Sequence, residues 1–132
     1  MSGRRLAREL ALQALFGVEI GHREPAEMLD EVFKRYRVDG ERGFIRDLVL
    51  GTLEHGEASD AVIAPLLEGW TIERLPTIDR LLMRMGTYEL RNTPMPPAVV
   101  INEAVELAKK FSTEDSGKFV NGVLAAVARQ RG

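Results

Sequence analysis

Three arginines at the start of the chain have the residue type and spacing to bind an anion. Arg4, Arg5 and Arg8 stand in a stretch that contains no acidic residue, and the helical pattern around them begins at about Gly3. Three cations at a helix N-terminus oppose the helix dipole, at about 0.3–1 kcal/mol each when exposed. A solvated helix start is the usual meaning of such a cluster. Because local rules tend to be broken where function requires it, the cluster also indicates a phosphate-binding surface.

A second candidate lies towards the other end of the chain, where a cation stands beside an aromatic residue. Lys118 and Phe119 follow Gly117 near the start of a predicted helix. Arginines, an aromatic ring and free helix N–H groups suit single-stranded RNA, since they supply phosphate contacts, a stacking surface and backbone donors. Phe119 also fits the apolar stripe of that helix, so a core position is the more common interpretation of this residue.

The motifs of known enzymes are incomplete in this sequence. Gly117 and Lys118 are followed by Phe119, where a phosphate-binding loop requires Ser or Thr. His55 and Glu57 form an H-x-E pair, but a zinc deaminase also needs a pair of cysteines, and the chain has none. The sequence therefore predicts no catalytic residue and no metal site.

Composition is that of an ordinary globular protein. The chain has 132 residues, 45% of them hydrophobic and 29% charged, which predicts a single domain over residues 1–132. The net charge is only -2, so a nucleic-acid partner would have to meet a local basic patch. The absence of cysteine is compatible with a reducing cytoplasm, and we expect neither a membrane span nor a leader segment.

Apolar residues recur at helical spacing along the whole chain, and no segment alternates with a period of two. The pattern predicts about seven helices with short loops, hence a compact all-α bundle. Five predicted helices cover residues 3–20, 26–38, 44–56, 59–67 and 77–90, and two more lie between 96 and 127. Pro65 is expected to kink or end the fourth helix early. Trp70 and Tyr88 are interpreted as core or interface residues.

The turn between the last two helices carries clear capping signals. Ser112 and Thr113 are candidate N-caps, and Ser112 with Asp115 has the spacing of a capping box. Gly117 and Gly122 have no side chain to hold a neighbour away, so their side of the helix could lie close to another helix or a ligand.

Three stretches of the chain resemble the NusB family of bacterial transcription antitermination factors. They are RRLARELALQALF, IDRLLMRMGTYEL and VVINEAVELAKKFSTEDSGKFVNGVL. The last stretch is the most specific. The resemblance covers nearly the whole chain and is weakest from about residue 21 to residue 43.

The resemblance implies an all-α fold of two small helical bundles packed across each other. It also implies a cytoplasmic, non-enzymatic protein without a cofactor, which forms a heterodimer with NusE, a small-subunit ribosomal protein. The pair would bind the boxA element of nascent RNA and join other Nus factors on RNA polymerase. The complex would suppress premature termination, notably in ribosomal RNA operons. Whether the free protein is a monomer or a homodimer stays open.

The family's functional positions map onto particular residues of this sequence. The arginine-rich RNA-binding start corresponds to Arg4, Arg5 and Arg8, with Leu6 where some members carry a further arginine. The tail block contributes Lys118 and Phe119 to the expected RNA path, where Asp115 also falls. The expected NusE-binding residues are Phe16, which replaces a tyrosine common in the family, Asp79, Arg80 and Asp115.

Two other functions are compatible with the sequence. A NusB-like domain forms the N-terminal part of certain ribosomal-RNA cytosine methyltransferases, and this chain could be such a module separated from its catalytic part. The absence of a glycine-rich cofactor loop and of a cysteine nucleophile argues against that interpretation. The third interpretation is a helical protein-interaction module without an RNA role. The leading hypothesis expects a cationic patch built from both ends of the chain.

Overall fold

The computed structural model describes residues 3–130, and over this range the protein is all-α. The prediction of seven helices is confirmed. The helices are α1 Gly3–Gly21, α2 Pro25–Arg35, α3 Arg42–Glu54, α4 Gly56–Ile63, α5 Thr77–Asn92, α6 Pro97–Phe111 and α7 Glu114–Gln130. Two 3₁₀ turns, Ala64–Leu66 and Ile72–Arg74, lie between α4 and α5.

Helix boundaries differ from the predicted ones where the backbone meets a local constraint. The second helix ends at Arg35 because Tyr36 is extended, with φ -120° and ψ 142°. The chain then turns at Gly40, whose φ of 82° lies in the left-handed region that favours glycine. Pro65 acts as predicted, since α4 ends at Ile63 and the proline falls in the 3₁₀ turn that follows.

The described residues form two compact units, with the boundary between Leu53 and Glu54. The N-terminal unit contains α1, α2 and α3, and the C-terminal unit contains α4 to α7. The prediction of one domain over residues 1–132 stays a prediction, and its first two and last two residues lie outside the described range.

In the N-terminal unit, one broad face of α1 is buried, and α1 packs against α2. At Gly17 the two helices approach so closely that a Cβ atom would lie 2.5 Å from Cε of Met28. At the corner between them, Arg23 donates hydrogen bonds to Glu31 at 2.7 Å and to Glu27 at 3.0 Å. These carboxylates, Glu31 first, raise the pKa of the Arg23 guanidinium above its usual value. The buried apolar residues of α1 are Ala7, Leu10, Ala11, Leu12, Ala14 and Leu15.

In the C-terminal unit, α5, α6 and α7 pack on one another around a shared apolar core. The close approach of α5 and α7 depends on Gly86, where a Cβ atom would lie 2.6 Å from Cδ1 of Leu124. Gly117 likewise lies close to α6, because a Cβ atom added to it would be 3.0 Å from Cγ of Lys109. Gly122 has no neighbour within 4 Å of such a Cβ and instead lines an open groove.

The N-cap of α7 is Thr113. Its Oγ1 accepts a 3.0 Å hydrogen bond from the amide of Ser116. The predicted capping box of Ser112 and Asp115 is replaced by this arrangement, because Ser112 closes α6 and its hydroxyl lies 2.8 Å from the Ser116 hydroxyl. Thr113 thereby satisfies one of the donors that a helix start leaves open.

Within residues 3–130, no helix combines the length and the apolar character that crossing a membrane requires.

Candidate nucleic-acid and partner interface

Two of the three arginines of α1, Arg4 and Arg8, lie against an aromatic ring supplied by α3. Cζ of Arg4 lies 4.0 Å from the Phe44 ring centroid, and Cζ of Arg8 lies 5.1 Å from it. Arg4 also donates from Nε to Oε2 of Glu41 at 2.9 Å. Although no acidic residue precedes Glu9 in the sequence, Glu41 reaches this cluster from a distant part of the chain.

The arginines of α1 differ sharply in exposure. Arg4 and Arg5 are exposed, whereas Arg8 is only 3% exposed. A guanidinium held over a ring face gains from the quadrupole of the ring, so Arg8 helps to position Phe44 and the first turns of α1. Arg4 and Arg5 have the exposure that a direct phosphate contact needs. The assignment of all three to RNA stays a prediction.

A second basic and aromatic cluster, which sequence reasoning missed, lies in the same unit. Cζ of Arg42 and Cζ of Arg46 lie 5.2 and 5.3 Å from the ring centroid of Phe33. The i,i+4 spacing of the two arginines on α3 was a visible signal. The ring belongs to α2, so only the fold could place it beside them.

In the C-terminal unit, a cavity of about 240 Å³ brings together several predicted site residues. Asp79, Asp115 and Phe119 all line it. Asp115 is exposed at the start of α7, and Phe119 is half-buried rather than a full core residue. The other lining residues are Trp70, Leu75, Pro76, Thr113 and Ser116.

Two residues expected to bind a partner are engaged inside the C-terminal unit. Asp79 is 3% exposed, and its Oδ2 accepts a 3.0 Å hydrogen bond from the Ser116 hydroxyl. Its Oδ1 has no hydrogen-bond partner among the described residues. Arg80 donates from Nη1 to the carbonyl of Leu75 at 3.0 Å and, at the distance limit, to that of Ile72 at 3.5 Å. The remaining member of this set, Phe16, is 40% exposed and belongs to the N-terminal unit.

A wider groove of about 520 Å³ lies beside α7 in the C-terminal unit. Trp70, Lys118 and Phe119 line it, and Trp70 is 52% exposed. The interpretation of Trp70 as a core residue is therefore wrong, and its interpretation as an interface residue stays a prediction. The groove is completed by Pro65, Leu66, Glu68, Gly122, Val123 and Ala126.

The histidine and acidic residues of the described range do not assemble a metal site. Within residues 3–130, no three His, Asp or Glu side chains converge as ligands would. His55 instead lies against Tyr88 with ring centroids 5.4 Å apart. The surface features of the protein are basic and aromatic clusters with open grooves.

These features define the class of the protein: an all-α binding module with basic and aromatic surfaces. Comparison with known proteins then identifies the family. The sequence profile of the NusB family matches residues 5–129. The chain belongs to the NusB family, and the curated relatives that it matches are transcription antitermination proteins.

Individual relatives match over nearly their whole length. The transcription antitermination protein NusB of Geobacillus kaustophilus is 46% identical over 125 residues, covering 94% of each chain. The structure of NusB from T. maritima superposes with a TM-score of 0.88 at 34% identity, covering 98% of this chain and 93% of the other. A structure of NusB and NusE in complex with double-stranded RNA superposes with a TM-score of 0.87 at 31% identity, covering 98% of each chain.

Proposed function

We propose that this protein binds boxA RNA as a heterodimer with NusE and thereby suppresses premature transcription termination, notably in ribosomal RNA operons. The observation that carries the proposal is the basic and aromatic surface of α1, where the exposed Arg4 lies over the ring of Phe44 and the neighbouring Arg5 is also exposed. The proposal is supported by family membership and by the relative solved with NusE and RNA. The protein would act in the cytoplasm, with other Nus factors on RNA polymerase.

The RNA is held mainly through its phosphates in this proposal. Arg4, Arg5 and Lys118 are exposed cations that can neutralise phosphates directly. Arg8 contributes charge from a buried position and orients the ring of Phe44. Three direct contacts to a single strand give a slope of log affinity against log salt of roughly -2. Phe119 offers a half-buried ring for base stacking.

The partner surface supplies the rest of the affinity. Few phosphate contacts bind weakly by themselves, and a docked NusE extends the site so that the RNA meets a composite surface. Phe16 and Asp115 are exposed and suit direct partner contacts. Asp79 and Arg80 would act by holding the partner-binding face in shape, because both make hydrogen bonds within the unit. The oligomeric state of the free protein stays open between a monomer and a homodimer that covers the RNA face.

The test is a fluorescence-anisotropy titration of labelled boxA RNA with the heterodimer, and with each protein alone, at two salt concentrations. We expect Arg5→Ala to weaken RNA binding while affinity for NusE stays nearly unchanged. Arg91→Ala, which removes an exposed arginine from the last turn of α5, is the matched control and should leave both affinities unchanged. Equal loss of RNA and NusE binding in Arg5→Ala, or no loss of either, would overturn the proposed division of labour.

A further inference from the structure

The groove beside α7 contains the chain's one tryptophan, and that residue is exposed. Large aromatic residues bury much surface when they can, so an indole that is 52% exposed and lines a groove leaves a wide apolar face in water. Lys118 and Phe119, assigned above to RNA binding, line the same groove, whereas Trp70 and Glu68 have no role in that assignment.

The backbone conformation around Trp70 is defined by a glycine before it and by hydrogen bonds after it. Gly69 precedes it with a φ of 76°, a left-handed conformation that favours glycine. The segment after it is closed by hydrogen bonds from the Arg74 amide to Thr71 at 3.1 Å and from the Leu75 amide to Ile72 at 3.2 Å. Arg80 then ties this turn to α5 through the Leu75 carbonyl. The indole is consequently presented from a pre-organised turn, which lowers the entropic cost of binding.

The chemistry of the groove fits a nucleobase better than an apolar side chain. Two aromatic residues, Trp70 and Phe119, line it together with the exposed Lys118, whose ammonium group can contact the phosphate of the same nucleotide. Glu68 also lines it and can accept a hydrogen bond from an exocyclic amino group of a base. Gly122 keeps one wall free of side-chain atoms.

We propose that this groove binds one unstacked base of a single-stranded RNA, with Trp70 as the stacking residue and Lys118 on the adjoining phosphate. This inference rests on the proposed function and adds to it a base-binding subsite. Base–aromatic stacking is sequence-tolerant because every base has a π-face, so the subsite would hold the strand in place, and Glu68 would favour a base with an amino group.

The first experiment compares Trp70→Leu and Trp70→Phe in the heterodimer with NusE, by anisotropy of labelled boxA RNA. The Trp70→Leu variant loses base stacking, so its affinity for the RNA should fall about 5- to 140-fold. The Trp70→Phe variant should keep most of the affinity because it retains a π-face. Since Trp70 is half exposed, both variants leave the core intact. Equal affinities of wild type and Trp70→Leu would overturn the inference, as would a loss of NusE affinity alone, which would indicate a protein-docking groove.

A second variant fills the groove without touching Trp70. Gly122→Leu adds a side chain where no atom lies within 4 Å, so it should fold and block the base. Gly56→Leu is the matched control, because Gly56 is also helical, belongs to the same unit and has the same open surroundings. RNA binding should fall in Gly122→Leu and be unchanged in Gly56→Leu. Equal behaviour of the two variants would count against the subsite.

A direct readout uses the single tryptophan of the chain. With 5-fluorotryptophan incorporated in this protein alone, one fluorine resonance reports on Trp70 within the unlabelled heterodimer. Addition of RNA should shift that resonance through the ring current of the stacked base, and an RNA with an abasic nucleotide at the contacted position should not. RNA binding without any shift overturns this inference only. Absence of RNA binding by the wild-type heterodimer overturns the proposed function itself.

Discussion

The hydroxyl of Ser116 donates a 3.0 Å hydrogen bond to Oδ2 of Asp79, and both residues are buried. The contact joins the first turn of α7 to the first turn of α5. The Ser116 oxygen also accepts from the Thr113 hydroxyl at 3.1 Å, so the N-cap and the inter-helix contact form one network. A carboxylate in the first turn of α5 is favourably placed for the dipole of that helix.

Removing the Asp79 carboxylate should destabilise the protein. In Asp79→Ala the Ser116 hydroxyl loses its acceptor in a buried environment, and we expect the free energy of unfolding to fall by about 1–3 kcal/mol. Asp79→Asn should cost less, because its amide oxygen can still accept the hydrogen bond. Urea unfolding followed by circular dichroism measures both changes. Equal stability of wild type and Asp79→Ala would show that the hydrogen bond contributes nothing.

The burial of Asp79 changes how a partner-binding experiment should be interpreted. Asp79→Arg would place an unpaired cation in a buried site, so loss of NusE binding could result from a damaged fold. Asp115 lines the same cavity and is exposed. Asp115→Ala is therefore the cleaner probe of this face, with Asp79→Asn as the variant that tests the buried group.

Replacement of two different glycines by alanine should change the free energy of unfolding in opposite directions. In Gly86→Ala the added Cβ would lie 2.6 Å from Cδ1 and 2.9 Å from Cδ2 of Leu124, which is fully buried. Overpacking costs about 1–3 kcal/mol, which outweighs the roughly 1 kcal/mol that alanine contributes through helix propensity. We expect a lower free energy of unfolding, measured by urea titration.

Gly122→Ala is the matched control, because Gly122 is also helical but has open surroundings. There the propensity gain acts alone, and the free energy of unfolding should rise by up to about 1 kcal/mol. Destabilisation of the same size in both variants would mean that the close approach of α5 and α7 is not the cause.

The sequence predicted the helices because each buries one face and so leaves a periodic apolar pattern. On α1, for example, Ala7, Leu10 and Ala14 are at most 1% exposed, as their spacing indicates. The helix ends were less predictable, because they depend on single backbone conformations such as that of Tyr36. The sequence predicted that Ser112 or Thr113 caps α7. The hydrogen bond from the Ser116 amide to Thr113 identifies Thr113 as the cap.

The candidate site was predictable in residue type but not in environment. Arg8 falls on the polar side of the α1 pattern, yet it is buried beside Phe44, which is remote in sequence. Trp70 lies in a connector without periodicity, so no pattern could indicate that its indole is exposed in a groove. Such features depend on contacts between distant segments, which a one-dimensional pattern does not contain.

The ion pair of Arg84 and Asp60 should stabilise the C-terminal unit. Nε and Nη2 of Arg84 each donate to a different carboxylate oxygen at 2.8 Å, and the two side chains are 21% and 30% exposed. A bidentate, partly buried pair of this kind is stronger than a surface pair. Arg84→Ala should lower the free energy of unfolding by about 1.5–3 kcal/mol, and Arg84→Lys should recover only part, because one ammonium cannot make both hydrogen bonds.

Arg23→Ala is the control for this prediction. Arg23 pairs with Glu27 and Glu31 on the exposed surface, where water and salt screen the interaction. Its urea midpoint should stay close to that of wild type. If Arg23→Ala and Arg84→Ala lost equal stability, burial and bidentate geometry would not be what distinguishes the two pairs.

Salt dependence should separate the charged and aromatic contributions of α7 to RNA binding. Lys118 is exposed, and if it neutralises one phosphate, Lys118→Ala should make the slope of log affinity against log salt shallower by about 0.7. Phe119→Leu removes a ring without changing charge, so it should lower affinity at every salt concentration and leave the slope unchanged. Anisotropy titrations of boxA RNA with the NusE heterodimer at four salt concentrations give both slopes. An unchanged slope in Lys118→Ala would remove this residue from the RNA path, and a changed slope in Phe119→Leu would mean that its ring positions a cation.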